Sequence, residues 1–343
     1  MFIKYAPPTE IRMRNESDMQ VLITGCYRTG SEYITHLINN SPDIYATMYV
    51  TNYMRFCYGQ YDPINEREQY TSLVFDTGRR MRLRWGRHLD VHGVLDACES
   101  REVVTYGSIY DAIMRNIIPE SVPNWAEKTQ LVWRRIPGFL NLFEQSKTIL
   151  IVRDPRSILA SFKNFTYAPE PRYLGAIFNA LDAMQHGREF ASSLPADEFH
   201  LVKYENVVLD PRSTVSAIFD FLSLPTDHDL MSEEGWTDPA GDHWGANSAF
   251  EDGSEFDKQA AINRWQGNLE PWEIALCERV NGDVMEAYGY ELAGTSVPTT
   301  EYEDVINADP QIKRFYEKWK RDGSGVEQYP TDPTDPDNWA ENN

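Results

Sequence analysis

Three short stretches of the chain hold residues whose types and spacing suit anion chemistry. The first is Gly25-Cys-Tyr-Arg-Thr-Gly30-Ser-Glu-Tyr33, in which two glycines stand five apart with Arg28 inside the loop. Such a loop can wrap its backbone N–H groups around an anion, and a following helix adds the positive end of its dipole. The second is Val152-Arg-Asp-Pro-Arg-Ser-Ile-Leu-Ala-Ser161, where Arg153 and Ser161 lie eight residues apart. An arginine at a strand end and a hydroxyl two helical turns on can converge on one anion. The third is Trp125-Ala-Glu-Lys-Thr129. There a carboxylate (Glu127) can take a proton while an ammonium (Lys128) steadies developing negative charge.

These stretches need a scaffold that brings them to one edge. Val21, Leu22 and Ile23 form a continuous apolar run ended by Gly25, as a buried strand requires. From Gly30 on, Ile34, Leu37 and Ile38 share one helical face, and Ser41-Pro42 stops that helix. Thr148 to Val152 reads as a second buried strand, and Asp154-Pro155 opens a helix through Ile158, Leu159 and Phe162. Phe199 to Lys203 is a third strand, followed by a helix from Asp210-Pro211; a late amphipathic helix runs from Glu270 to Tyr288. Strands alternating with helices predict an α/β fold with a mainly parallel central sheet flanked by helices. The stretch from Tyr53 to Pro123 is less regular and is expected to cover the sheet and shape an acceptor pocket. One domain over residues 18–295 is predicted, with an N-terminal extension (1–17) and a polar C-terminal extension (296–343), disordered or partner-bound.

The formal charge of −21 over 343 residues repels phosphate backbones and makes nucleic-acid partners improbable. The four cysteines, Cys26, Cys57, Cys98 and Cys277, form no CxxC pair, so free thiols in a reducing, cytoplasmic setting are expected. No signal-like apolar segment or membrane span is expected. His88 and His92 are four apart without a third ligand nearby, so no metal is predicted. Arg79, Arg80, Arg82, Arg84 and Arg87 crowd one stretch with Trp85, suited to an anionic acceptor or to the chain's own carboxylates.

Taken together, the motifs resemble those of sulfotransferases that use 3′-phosphoadenosine-5′-phosphosulfate (PAPS), a family with a fold like that of the P-loop nucleoside triphosphatases. Arg28-Thr29-Gly30-Ser31-Glu32-Tyr33 is similar to the family's 5′-phosphosulfate loop, with Glu32 where Ser or Thr is common. Arg153 and Ser161 match its 3′-phosphate site, and Val202-Lys-Tyr-Glu205 with Phe221-Leu-Ser-Leu-Pro225 its later signature. The resemblance implies that Tyr33 and Tyr204 lie near the adenine and that Arg264, in Arg264-Trp265, closes over the 3′-phosphate. It also implies Glu127 as general base, with Lys128 and Arg28 stabilising the leaving phosphate, PAP as product and no metal. Glu32 is the second candidate base, expected to matter less because a base in the loop would sit behind the sulfur. His243, in a glycine-flanked loop, comes next. Gln130 stands where the family's Glu-Lys-Thr segment continues with proline. The acceptor, a small molecule, glycan, lipid or peptide, is not readable from these residues.

Two other readings share some of these features. A P-loop kinase or nucleoside triphosphatase would need lysine where Ser31 stands. A catalytically silent relative with a structural role would keep the fold without the chemistry.

Overall fold

In the computed structural model, residues 18–165, 170–226, 229–232, 236 and 262–328 are described. The N-terminal extension, His243 and the repeat at Thr331 to Pro336 lie outside the described residues.

Five parallel strands form the centre: β1 (Gln20–Gly25), β2 (Ile44–Met48), β3 (Asn124–Lys128), β4 (Ser146–Val152) and β5 (Phe199–Lys203), in the order β2-β3-β1-β4-β5. β1 is the middle strand, and every one of its residues is buried. Its alternating side chains feed two cores. Leu22 joins Trp125, Leu150 and Val152 on one face, whereas Val21 and Ile23 join Ala126, Ile149 and Ile151 on the other. A strand buried on both faces must read as a continuous apolar run, which is why Val-Leu-Ile carries no alternation.

Helices cover both faces. α1 (Ser31–Ile38) packs Ile34, Leu37 and Ile38 on the Val21/Ile23 face. Four helices lie between β2 and β3: α2 (Tyr53–Phe56), α3 (Arg67–Trp85), α4 (Val91–Glu99) and α5 (Tyr106–Ile117). They supply the irregular stretch with its core, as Tyr53, Leu73, Val94 and Tyr110 on the Leu22 face show. α6 (Ile136–Leu140) leads into β4, and α7 (Pro155–Phe165) and α8 (Gly175–Ser193) follow it on the same face. After β5 come α9 (Tyr204–Leu209) and α10 (Pro211–Leu222), the latter on the face of α1. Because α1 leaves β1 toward one face and α7 leaves β4 toward the other, a crevice opens between these adjacent strands at their carboxyl ends. Open α/β sheets bind ligands in such crevices.

The chain then adds α11 (Trp265–Asn268), α12 (Pro271–Ala287), α13 (Thr300–Ala308) and α14 (Pro310–Asp322). The last two correct the expectation of a separate polar extension after residue 295. Tyr302, Ile306, Ile312, Phe315 and Tyr316 are buried in the main core, and Phe315 packs edge-on against Phe178 of α8 at 5.8 Å. In α14 the apolar residues sit at helical spacing inside a strongly charged sequence, so average polarity hides a well-formed apolar face. Residues 323–328 continue along α8: Val326 N–H donates to the Phe178 carbonyl (3.1 Å) and Gln328 N–H to Asn179 Oδ1 (3.0 Å). Among the described residues no helix is long and apolar enough to cross a membrane.

Candidate active site

The loop after β1 is built for close approach. A Cβ on Gly25 would stand 2.5 Å from the Ile151 carbonyl oxygen, so only glycine lets β1 end so near β4. Arg28 and Gly30 both adopt left-handed backbone, with φ of 66° and 75°. For Arg28 this is a sparsely populated region, held here by the fold around it. Thr29 is buried and donates its hydroxyl to the Cys26 carbonyl (3.0 Å), closing the turn from inside. Gly30 caps α1 without a side-chain hydrogen bond, so the first N–H groups of Ser31, Glu32 and Tyr33 have no intrahelical acceptor. The Tyr204 ring lies directly on Gly30, where any Cβ would meet it at 2.4 Å.

The second motif closes on the first. Arg28 Nε donates to Ser161 Oγ (3.0 Å), and Arg153 Nη1 donates to the Arg28 carbonyl (2.8 Å). The Arg153 guanidinium sits 4.1 Å over the Tyr204 ring. Arg28 is held below the usual guanidinium range, first by burial and then by the neighbouring charges of Arg153 and Arg264, although Glu32 and Tyr49 oppose this. Three cations thus crowd one crevice, an arrangement that an anion relieves.

Asp154 does not neutralise Arg153. Its carboxylate is taken by Arg156 at 2.7 Å, and Arg156 also meets Glu278 at 2.7 Å. The same guanidinium lies 4.0 Å over Trp265, while Ser157 Oγ donates to the Ile262 carbonyl (2.8 Å). Arg156 and Ser157 therefore anchor the segment that carries Arg264. Glu205 ties the remaining signatures together, accepting from Asp154 N–H (3.0 Å) and from the Tyr290 hydroxyl (2.8 Å).

On the β2/β3 side of the loop, Lys128 ends β3 fully buried, with Nζ 3.6 Å from Glu32 Oε1. Tyr49, just past β2, accepts a hydrogen bond from Lys128 and donates its hydroxyl to Glu32. Burial pushes the Lys128 ammonium down to about 7, against the pull of Glu32. Burial alone would raise Glu32, but Lys128, Tyr49 and Arg28 outweigh it and hold the carboxyl below the usual range. The Glu32 side chain is 37% exposed, so solvent or an acceptor can reach it.

Glu127 lies on the other face of the sheet from Lys128. It is 0% exposed, and its carboxylate accepts from Thr51 N–H and hydroxyl, Asn52 N–H, Tyr53 N–H and the Tyr110 hydroxyl, the last at 2.6 Å. Those donors fix the turn between β2 and α2. The physical reason is strand geometry: neighbouring residues in β3 project to opposite faces, so Glu127 and Lys128 do not share one site. Tyr33 is half-buried and meets Trp236 edge-on at 5.5 Å, while Trp236 stacks on His36 at 4.8 Å. Among the described residues no group of three His, Cys, Asp or Glu gathers to hold a metal.

Sequence reasoning missed Tyr49. It follows a short strand, Ile44-Tyr-Ala-Thr-Met48, whose composition carries no clear pattern, and it adopts a left-handed φ of 58°.

An open parallel sheet with a glycine loop after its central strand and two arginine-bearing motifs at its carboxyl edge is an architecture that binds ligands at that edge. The sulfotransferase family model matches residues 20–228, and the chain belongs to that family. Among solved structures it is similar to the sulfotransferase domain of the Synechococcus PCC 7002 olefin synthase, at 18% identity and a TM-score of 0.54, over 82% of this chain and 100% of that one. The sulfotransferase domain from the curacin biosynthetic pathway is similar at 19% identity and a TM-score of 0.52, with the same coverage. At these identities the likeness speaks for the fold. No curated protein matches the sequence.

Proposed function

We propose that the chain transfers a sulfuryl group from PAPS to a hydroxyl or amine acceptor, with Glu32 as the general base. The observation that carries this reading is the convergence of Arg28, Arg153, Ser161 and Tyr204 on the Gly30 loop. A ligand with anionic groups at two separated points and a flat base suits it better than a nucleoside triphosphate, because the loop lacks the lysine that a γ-phosphate needs.

The residues fit PAPS as follows. The loop N–H groups of residues 29–31 and Arg28 hold the 5′ end. Arg153, Ser161 and Arg264 hold the 3′-phosphate, and Tyr204, with Tyr33 beyond it, flanks the nucleoside. The donor supplies an electrophilic sulfur and a phosphate leaving group. Everything else is done by the chain. Glu32, half-exposed and ionised, accepts the acceptor's proton as its oxygen or nitrogen bonds to sulfur. The S–O bond to the 5′-phosphate breaks, and Arg28, Lys128 and the loop N–H groups take up the charge left on that phosphate. Tyr49 orients Glu32 and Lys128 toward one another. Glu127 is a positioning residue that fixes the turn from which Tyr49 projects.

The test is a transfer assay with labelled PAPS and a panel of alcohols, phenols and amines. Labelled product with the wild-type chain, and its loss in Glu32→Gln, support the reading. Labelled product at wild-type rates in Glu32→Gln removes Glu32 as base.

A further inference from the structure

Helix α3 is amphipathic in an unusual sense. Tyr70, Leu73, Val74, Thr77, Arg80 and Met81 face the core. The opposite face carries Phe75, Arg79, Arg82 and Leu83, spaced i, i+4, i+7 and i+8, all exposed. Phe75 is 50% exposed and Leu83 38%, two of the five large apolar side chains exposed among the described residues. They stand about 12 Å apart along the helix, at 1.5 Å per residue. Arg84, also exposed, lies over Trp85 at 5.3 Å. No Asp or Glu occurs from Thr77 to Leu89, in a chain whose formal charge is −21. Among the described residues neither Arg82 nor Arg84 forms an ion pair with a carboxylate.

The C-terminal end of α3 also reaches the reactive cluster. At the C-terminal end of α3 the Trp85 indole N–H donates to the Tyr49 carbonyl (3.1 Å), and the two rings stack at 6.4 Å. Tyr49 in turn holds Lys128 and Glu32. A partner lying along α3 would therefore end beside Tyr49 and the Glu32–Lys128 pair that it holds.

We propose that the outer face of α3 docks an acidic, amphipathic polypeptide segment that presents the acceptor group; as a statement about the acceptor, this rests on the sulfuryl-transfer reading above. The charge pattern selects the partner. A screening length of about 8 Å at physiological salt confines attraction to the local arginines, while the remaining acidic surface repels the same partner elsewhere. Arginine and aromatic side chains are enriched at protein-binding surfaces. A polyanionic glycan would satisfy the arginines and leave Phe75 and Leu83 in water.

The probe is a fluorescent synthetic peptide of about twenty residues, helical, with glutamates along one face and leucines along the other, titrated into the full chain by anisotropy at low and moderate salt. Saturable binding that weakens with salt is expected. Arg82→Glu should weaken it at least about tenfold, and so should Phe75→Ser, while PAP affinity stays at the wild-type value in each variant. Absence of saturable binding, or binding unchanged in both variants, overturns the proposal. So does a heparin oligosaccharide that binds more tightly than the peptide and ignores Phe75→Ser. Failure of the wild-type chain to bind PAP while the peptide binds as described would strike the donor assignment and leave the docking surface standing.

Discussion

Arg28 Nε and Ser161 Oγ meet at 3.0 Å across 133 residues of sequence. The contact joins the loop after β1 to the helix after β4, and so fuses the two anion motifs into one crevice. Removing the hydroxyl should loosen that junction without disturbing the core. In Ser161→Ala, PAP affinity is expected to fall by about 1.5–3 kcal/mol, the scale of a hydrogen bond to a charged group. Calorimetric titration checks this; an unchanged affinity would place Ser161 outside the donor site.

Glu32 and Glu127 should separate cleanly in mutation. Glu32→Gln is expected to lower turnover by about 10²–10⁴-fold with little change in PAP affinity, the usual worth of a positioned base. Glu127→Gln swaps a carboxylate oxygen for an amide donor among five donor groups, leaving at least one buried donor unpaired. It should cost about 1–3 kcal/mol of stability, read as a lower melting temperature. A Glu127→Gln chain that melts like the wild type yet is inactive would return the base to Glu127.

The pH profile follows from Lys128 and Glu32. With Lys128 lowered to about 7 by burial, the ammonium that supports the leaving phosphate is lost as pH rises through that value, so kcat/KM should decline above about pH 7. Glu32 lies below the usual carboxylate range, so the acid limb should begin below it. For stability the sign is opposite: the unfolded chain keeps the Lys128 proton up to its ordinary value of 10.5, so this group makes folding more favourable as pH rises from about 7 to that value. Lys128→Met should remove the alkaline decline; a decline that persists in that variant would assign it to another group.

The strap at residues 323–328 can be tested through Gly325. A Cβ there would stand 2.2 Å from the Phe178 carbonyl oxygen and 2.5 Å from Asp182 N, both backbone atoms of α8. Gly325→Val must displace the strap and is expected to cost about 1–3 kcal/mol, as overpacking does. A thermal melt reads the loss, and an unchanged melting temperature would mean the strap adds nothing to the fold.

Much of the site was legible because its parts are local. The glycine loop, Arg153 to Ser161 and the buried strands that carry them each announce themselves within about ten residues, and they meet as their strand positions require. What was hidden depended on distant contacts. Glu127 reads like a base beside Lys128 until the strand sends it to the opposite face, toward Thr51 and Tyr110. Tyr49 is set by an edge strand without a pattern and by the end of α3. The helices after residue 295 look polar because their buried faces are narrow, and only α8 and the main core show where Ile312 and Phe315 belong.

The donor is the central claim, and it can be tested without knowing the acceptor. Calorimetric titration of the full chain with PAP and with adenosine 5′-monophosphate compares ligands that differ by the 3′-phosphate. PAP should bind at least about tenfold more tightly, and Arg153→Ala should weaken PAP by roughly 1.5–3 kcal/mol while barely moving the monophosphate. Equal affinity for the two ligands in the wild type, or equal loss for both in Arg153→Ala, would contradict the assignment of Arg153 to a 3′-phosphate and with it the PAPS-dependent reading.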